Sequence, residues 1–421
     1  PPGVPPPFLR VARSGGGRGR AARAAPPGFP GMDTPPQILP PNGHFASWQP
    51  GARAKRNAPG LAWTIEPGTE LVVQMHLQPP GRPEPLLAEI GFWFTDQAPT
   101  NQPLKIGLVN YDLRLPAGAT NVVVTDEFEV PADCDLLGVL PHTHYLGRRI
   151  EAEAVLPDGT RRTLLRIPEW DFNWQGDYAY REPVFLPAGS RVAMRLTFDN
   201  SAANPRNPFH PPREARFGLN TTDEMAELWL QLLPRTPAGA RLLAAANLQR
   251  TARDVAAYMR ERLRVNPADG EAHLRLGGAL LSQGQFDMAR GEFERAAALL
   301  PADDQPPYFL GLLHRAQGRF AEAARAFTRA LELNPGNARA HGNLGLMHLQ
   351  AGRPEVAARH FTSAIAADPE DALAHLTLGE IRAQQGNLDE ALRLVSRAVE
   401  LAPDDEEAAK VLADLRRRAG R

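Results

Sequence analysis

Two histidines separated by one residue are the side chains of this sequence best suited to chemistry. His142 and His144 lie in the run 136–147, which reads as a β-strand. Side chains two residues apart on a strand share a face, so both imidazoles are expected to project together. The same face carries three leucines, Leu136, Leu140 and Leu146. Buried polar groups need partners, and a single metal ion bound by both imidazoles would satisfy the two rings. We therefore interpret His142-x-His144 as half of a candidate metal site.

The other ligands of such a site must come from elsewhere in the chain. Met225 follows the run Thr-Thr-Asp-Glu at 221–224, and His76 lies in a strand-like run at 70–78. A thioether favours Cu(I), whereas imidazole accepts both oxidation states, so two histidines and a methionine suit a copper that changes oxidation state. Two alternatives stay open. Met225 could pack behind a helix start, because 221–224 fits a capping box, and His76 could be a hydrogen-bonded histidine.

The elements that must position these residues are short strands. Between about 40 and 235, apolar runs alternate with turn signals such as Pro157-Asp-Gly159 and Pro187-Ala-Gly189. This pattern is typical of a β-sandwich or jelly roll. We predict a partial first β-sandwich domain at 39–110 and a complete second one at 111–235. They follow a Pro/Gly/Arg-rich tail, residues 1–38, that is expected to be disordered.

From about residue 236 the chain becomes helical and repeats every 34 residues. The repeated prolines are Pro267, Pro301, Pro335, Pro369 and Pro403, with glycine, alanine and phenylalanine at further fixed places. The small residues let two helices cross closely, and the pattern resembles the tetratricopeptide repeat. We predict four repeats, at 270–303, 304–337, 338–371 and 372–405, so that 270–405 forms an all-α solenoid. A lead-in helical segment precedes them at 236–269, and a capping helix follows at 406–421.

The groove of such a solenoid is expected to bind a protein or peptide partner. The candidate groove residues, which we expect to be exposed, include Tyr308, Leu312, Arg315, Arg339 and Leu346. Five histidines fall at the fourth or eleventh place of a repeat, where the consensus has packing residues, so we expect packing and not metal binding. They are His273, His314, His341, His348 and His375.

Three motifs, in this order, resemble the copper type II, ascorbate-dependent monooxygenases. This family includes peptidylglycine α-hydroxylating monooxygenase and dopamine β-monooxygenase. The motifs are Gln74-Met-His76, His142-Thr-His-Tyr-Leu-Gly147 and Thr222-Asp-Glu-Met225. The bacterial branch, which often carries tetratricopeptide repeats, shares Asp171-Phe-Asn-Trp-Gln175 and Asp199-Asn-Ser201. The resemblance covers roughly residues 40–232.

The resemblance implies two copper sites and a hydroxylating activity. His142, His144 and Met225 would bind the copper at which dioxygen is activated, and His76 would be the last ligand of an electron-storing copper. Ascorbate would be the reductant, and a carbon–hydrogen bond of a small-molecule or peptide substrate would be hydroxylated. The resemblance also implies a location outside the cytoplasm, periplasmic or secreted.

The chain departs from this family at several positions. The electron-storing copper also needs two adjacent histidines upstream of His76, and only His44 precedes it. The arginine that holds a peptide carboxylate corresponds to Leu140, and the tyrosine four places after the methionine is Trp229. Leu140 and Trp229 argue against a peptide with a C-terminal glycine as the substrate. The missing histidine pair favours a second hypothesis, a non-catalytic scaffold whose repeats bind partners while the β region is a relic. A copper-storage or chaperone protein is a third, weaker hypothesis.

Composition excludes further classes of function. Lysine and arginine number 47 against 48 aspartates and glutamates, which argues against nucleic acid as the partner. No apolar run is long enough for a membrane span. Cys134 is the only cysteine, so an internal disulfide or a cysteine-based metal site is excluded. The chain begins at Pro1 without a hydrophobic secretory segment, and we expect it to be a fragment or an incomplete gene product.

Overall fold

The computed structural model describes residues 7–12, 46–47, 60–61, 70–75, 91–97, 102–218, 220–403 and 405–420. They belong to two compact units, and the division between the units falls after Glu261. The first unit contains the strands, and the second consists of helices.

A small antiparallel sheet lies in the N-terminal part of the first unit. Its strands are β1 (Pro7–Ala12), β2 (Ala46–Ser47) and β3 (Glu70–Met75), in the order β2-β1-β3. The sequence predicts disorder throughout 1–38. The structure differs at β1, because this short apolar run pairs with β3 along its whole length. The rest of the predicted tail lies outside the described residues.

Two four-stranded antiparallel sheets form the main part of the first unit. One has the order β10-β7-β13-β4, made of β4 (Leu104–Val109), β7 (Cys134–His142), β10 (Tyr178–Leu186) and β13 (Glu227–Pro234). The other has the order β6-β11-β8-β9, made of β6 (Val122–Glu129), β8 (Gly147–Val155), β9 (Arg161–Ile167) and β11 (Arg191–Phe198). The short strands β5 (Arg114–Leu115) and β12 (Ala215–Arg216) pair with each other.

The two main sheets share one hydrophobic core. Burial alternates along β11, where every second residue is buried, as expected for a strand with one face inward. Leu230 from the first sheet and Leu196 from the second are both fully buried in the same cluster. Each fully buried leucine contributes about 1.5–3 kcal/mol to folding. An all-β region is therefore present, and the finer prediction of a jelly roll stays a prediction.

Helix α1 (Pro237–Val265) packs against the strands of the first unit. It begins after Thr236, whose hydroxyl accepts the amide hydrogen of Gly239 at 3.0 Å, as an N-cap does. Leu243 is fully buried in the core that the two sheets share. The sequence predicts that residues 236–269 are a helical segment leading into the repeats. In the structure, α1 belongs to the first unit as far as Glu261.

Buried Arg250 is the polar anchor of α1. Its Nε donates to the carbonyl oxygen of Gly107 at 2.5 Å, and its Nη1 donates to that of Glu127 at 2.9 Å. It forms an ion pair with Asp126 of β6 and lies 3.7 Å from Asp254 one turn along the helix. Breaking such a buried pair by removing one partner costs about 3–5 kcal/mol.

In the described part of the second unit, four helix pairs and one further helix follow the last turn of α1. The pairs are α2 (Gly270–Ser282) with α3 (Phe286–Leu299), α4 (Gln305–Ala316) with α5 (Phe320–Leu333), α6 (Ala338–Gln350) with α7 (Pro354–Ala367), and α8 (Ala372–Gln384) with α9 (Leu388–Leu401). Helix α10 (Glu406–Arg418) packs against α9. The predicted all-α tetratricopeptide solenoid is confirmed.

The repeated glycine is explained by the close crossing of the two helices in each pair. A Cβ atom built on Gly277 would lie 2.5 Å from the ring of Phe293 in the same repeat. The same ring stacks on Phe309 of the next repeat, with centroids 5.5 Å apart. One small and one large residue therefore fix both the pairing within a repeat and the stacking between repeats. Among the described residues, no helix has the length and apolarity needed to cross a bilayer.

Candidate functional site

The structure brings His142 and His144 together at the end of β7. Their ring centroids are 5.1 Å apart, and their planes meet edge to face at 82°. His142 is the last residue of the strand and is half-buried, whereas His144 lies beyond the strand and is 4 % exposed. The proximity of the two rings therefore depends on the loop after β7 and not on strand alternation alone.

A β-bulge changes which face of β7 points inward. Gly138 pairs with Gln231 of β13, but Leu136 pairs with the next residue, Leu232, so Leu137 has no opposite residue. Beyond an extra residue of this kind, the side chains that faced inward face outward, and those that faced outward face inward. The buried positions accordingly shift from even to odd numbers along the strand.

The predicted apolar face of the histidine strand is therefore wrong in part. Beyond the bulge, Val139 points into the core and is 1 % exposed, while Leu140 and His142 share the opposite, half-buried face. Leu136, before the bulge, is fully buried in the core and does not share the face of His142.

Each histidine makes a hydrogen bond through Nδ1 that fixes its tautomer. His142 Nδ1 lies 2.7 Å from Oε1 of the buried Gln175, whose Nε2 donates to the carbonyl oxygen of Phe172 at 2.9 Å. His144 Nδ1 lies 3.0 Å from the carbonyl oxygen of Asp223. Both oxygens accept, so both Nδ1 atoms carry hydrogen and a neutral ring has its lone pair on Nε2. Metal-binding histidines are oriented by second-sphere hydrogen bonds of this kind.

Fully buried Glu224 ties the histidine loop to the segment that contains Met225. Its carboxylate accepts hydrogen bonds from the hydroxyl of Thr143 (2.7 Å), the amide of His144, the amide of Leu146 (2.8 Å) and the amide of Met225 (2.9 Å). Burial raises the pKa of Glu224 to about 7, although these hydrogen bonds favour the charged form. The sequence placed Glu224 in a capping box and in the motif Thr222-Asp-Glu-Met225 but gave it no role of its own, because Thr143, His144 and Leu146 lie about 80 positions away in the chain.

Met225 is half-buried and packs against the core of the β unit. It lies two residues before Glu227, which pairs directly with His142 across the β7–β13 ladder. The alternative of a helix start at 221–224 is wrong, since that segment leads into β13. Burial raises the pKa of Glu227, and the neighbouring His142 opposes the shift.

The motif at 171–175 forms a turn beside the two histidines. Trp174 donates its amide hydrogen to the carbonyl oxygen of Asp171 at 2.9 Å. Phe172 is buried with its ring edge to face on His144, at 5.6 Å, whereas the side chain of Trp174 is 66 % exposed. Gln175, which orients His142, belongs to the same motif, so the motif supports the histidine pair directly.

The second predicted copper site cannot be placed in this structure. His76 and His44 both lie outside the described residues. Within the residues that are described, no group of three or more His, Cys, Asp or Glu side chains is arranged to hold a metal ion. The predicted set of His142, His144 and Met225 contains only two such side chains, so it stays a prediction.

Two arginines distinguish the predicted groove of the repeats. Arg315 on α4 and Arg339 on α6 are exposed, and in the described part of the chain neither forms an ion pair with a carboxylate. Arg315 donates to Oδ1 of Asn343, whose Nδ2 donates to the carbonyl oxygen of Arg339 at 2.8 Å. Tyr308 was expected to be exposed, but it is only 7 % exposed, because its ring packs against Phe327.

The positive charges of Arg315 and Arg339 lower the pKa of the Tyr308 phenol. Burial raises the pKa of Tyr308, while the two guanidinium groups and a hydrogen bond with Asn343 lower it. The four side chains therefore form one electropositive cluster across the second and third repeats. Leu312 and Leu346 are half-buried on the same two helices.

Comparison with known proteins identifies the helical part of the chain. Family models described as tetratricopeptide repeat match residues 238–304, 308–358 and 348–415. No curated protein matches the chain.

Three solved structures illustrate the structural similarity. MamA has 23 % identity over 42 % of this chain and 98 % of its own, with a TM-score of 0.32. The pilF protein of Pseudomonas aeruginosa has 21 % identity over 36 % of this chain and 68 % of its own, with a TM-score of 0.33. The thermophilic TPR protein TTC0263 of Thermus thermophilus has 23 % identity over 42 % of this chain and 95 % of its own, with a TM-score of 0.33.

Proposed function

We propose that this chain is a protein-interaction scaffold whose repeats bind an acidic segment of a partner protein. Tetratricopeptide repeats occupy most of the second unit. Arrays of this kind bind partners along an extended concave surface formed by successive repeats. This function corresponds to the second hypothesis of the sequence analysis, a scaffold whose repeats bind partners.

The observation that carries this proposal is the pair of exposed arginines on α4 and α6. A guanidinium group binds a carboxylate through two parallel hydrogen bonds, and Arg315 and Arg339 have no carboxylate partner within the described residues. Asn343 orients Arg315, which reduces the entropy lost when a ligand binds. Leu312 and Leu346 add apolar contact area, so the preferred ligand combines acidic and aliphatic side chains.

Fluorescence anisotropy of the full chain with a labelled peptide tests this function. The probe is a peptide of alternating glutamate and leucine, and the reference is the same peptide with glutamine for glutamate. We expect the combined R315Q/R339Q variant to bind the acidic peptide about tenfold or more weakly, because two charge-assisted contacts are lost. Binding should also weaken as the salt concentration rises.

Arg329→Gln is the matched control for these variants. Arg329 is an exposed arginine on α5 that pairs with Glu332 at 2.8 Å, so its loss leaves the proposed groove unchanged. Equal affinity of the wild-type chain and the R315Q/R339Q variant would overturn the assignment of the groove.

A second candidate function is favoured by the arrangement of His142 and His144. We propose that the β unit resembles the copper-binding part of the ascorbate-dependent monooxygenases, with 39–110 as a partial first jelly-roll domain and 111–235 as the complete second one. His142, His144 and Met225 would hold one copper, and His76 would belong to the other. Copper with ascorbate would supply dioxygen activation for hydroxylation of a carbon–hydrogen bond, in a location outside the cytoplasm.

The residues around the histidine pair support a metal site by positioning its ligands. Gln175 and the carbonyl oxygen of Asp223 hold the two rings in the tautomer with the lone pair on Nε2. Glu224 fixes the loop of His144 to the backbone of Met225, so two of the three proposed ligands are linked through one buried carboxylate. The donor set of two imidazoles and one thioether fits copper.

X-ray absorption of the Cu(I)-loaded full chain tests this second function. We expect a sulfur contribution that disappears in Met225→Leu and persists in Met288→Leu, since Met288 is an exposed methionine on α3. A spectrum without sulfur in the wild-type chain would remove Met225 from the site. Ascorbate-dependent oxygen consumption then separates an enzyme from a copper-binding relic.

A further inference from the structure

Gly342 occupies a place that large side chains fill in the other three repeats. Counted along the 34-residue period, the equivalent residues are Leu274, Tyr308 and Leu376. All three are buried, and the most exposed of them, Leu376, is only 9 % exposed. The third repeat therefore lacks a side chain at a place where each of the other repeats buries a large one.

The space beside Gly342 is open in the structure. Apart from its chain neighbours and the nearby backbone of its own helix, a Cβ atom built on Gly342 would meet no heavy atom within 4 Å. Gly345 on the same helix differs, because its Cβ would lie 2.9 Å from the ring of Phe361. The close crossing of α6 and α7 thus requires a glycine at 345 but not at 342. We call the open space beside Gly342 the α6 notch.

The α6 notch adjoins the electropositive cluster of the proposed groove. Arg339 lies three residues before Gly342 and therefore shares a face of α6 with it. Asn343, the next residue, accepts a hydrogen bond from Arg315 of α4. Asn343 also forms a hydrogen bond with Tyr308, which fills the equivalent place of the preceding repeat. A segment whose carboxylates are bound by the two arginines would therefore bring its other side chains next to the notch.

A glycine at this place costs the third repeat stability in two ways. Glycine in a helix interior is less favourable than alanine, because it loses more backbone freedom on folding. The repeat also forgoes the hydrophobic burial that Leu274 and Leu376 contribute to theirs. An apolar side chain of a ligand that enters the notch would restore this burial, so the missing energy becomes available for binding.

We propose that the α6 notch is a subsite for one leucine-sized aliphatic side chain of the acidic partner segment. This inference rests on the proposed function, because Arg315 and Arg339 supply the charge that draws an acidic segment to α6. The size follows from the leucines that fill the equivalent place in the first and fourth repeats. The preferred ligand then places a leucine, or a side chain of similar shape, beside the carboxylates that the arginines bind.

Fluorescence anisotropy of the full chain with two labelled peptides tests this subsite. Both peptides alternate glutamate with serine around one central residue, which is leucine in one peptide and alanine in the other. We expect the wild-type chain to bind the leucine peptide about tenfold more tightly, because the larger side chain buries more apolar surface in the notch.

Gly342→Leu fills the notch with the side chain that the first and fourth repeats carry. We expect this variant to bind the leucine peptide as weakly as the alanine peptide, whose affinity should not change. Leucine is a better helix former than glycine, so the variant should keep its helical circular dichroism at 222 nm. A variant that keeps the tenfold preference, or that loses affinity for both peptides equally, would overturn the subsite.

Gly278→Leu is the matched control. Gly278 lies on α2, and a Cβ built on it also meets no atom within 4 Å. It is not part of the arginine cluster, so this variant should keep the tenfold preference for leucine. Loss of the preference in Gly278→Leu equal to that in Gly342→Leu would contradict the placement of the subsite on α6.

Failure of the subsite differs from failure of the proposed function. Equal binding of the two peptides by the wild-type chain would overturn the subsite alone, since the function is measured by exchanging glutamate for glutamine and by the R315Q/R339Q variant. A chain that binds neither peptide would overturn both.

Discussion

Single residues determine how the loop after β7 is held, and only some of them could be found from the sequence. The pairing of His142 with His144 is visible in their spacing. The bulge at Leu137 is not, because it depends on the register with β13. Glu224 was also missed as a structural residue, since its hydrogen bonds join positions about 80 residues apart in the chain. Sequence patterns identify residue types well, whereas long-range hydrogen bonds emerge only in the folded chain.

Replacing Glu224 with alanine should destabilise the β unit strongly. The change leaves a buried hydroxyl and three amide hydrogens without their acceptor, so we expect the free energy of unfolding to fall by about 3–5 kcal/mol. Urea unfolding followed by tryptophan fluorescence measures this change. Glu214→Ala removes an exposed carboxylate near Arg216 and should leave the midpoint unchanged. Similar midpoints for the two variants would contradict the structural role of Glu224.

Helices were the elements most accurately predicted from the sequence. The 34-residue period predicted the four helix pairs, because each repeat buries the same small and large residues at the same places. The packing of α1 was not predicted. Its periodicity is helical like that of the repeats, and its attachment to the β unit depends on the distant pair of Arg250 and Asp126.

Two adjacent glycines of α2 should respond oppositely to substitution by alanine. A Cβ on Gly277 would overlap the ring of Phe293, so we expect Gly277→Ala to destabilise the repeats by about 1–3 kcal/mol. A Cβ on Gly278 meets no atom within 4 Å, so Gly278→Ala should stabilise the helix by up to about 1 kcal/mol. Thermal unfolding followed by circular dichroism at 222 nm distinguishes the two. A stabilising Gly277→Ala would refute the close packing.

At the scale of the whole molecule, the chain divides into two compact units. The six tryptophans all lie at or before Trp229, within the sequence assigned to the first unit, whereas most helical residues belong to the second. The sequence predicted this division through its change from short strands to a 34-residue period. It could not place the boundary, since α1 continues across residue 261 without a break.

Unfolding of the full chain should therefore depend on the probe. We expect the transition seen by tryptophan fluorescence to differ from the transition seen by circular dichroism, because each probe reports mainly on one core. Glu224→Ala should shift the first transition and Gly277→Ala the second. Coincident transitions that both variants shift equally would mean that the chain unfolds as a single cooperative unit.

The attachment of α1 determines where the chain can be divided for expression. A cut before Pro237 would remove Leu243 from the β core and leave Asp126 without the guanidinium group that neutralises it. A β fragment ending at 236 should therefore aggregate, whereas one that extends to Glu261 keeps its complete core. A boundary drawn from the repeat pattern alone would thus assign to the helical half a segment that the other half requires to fold.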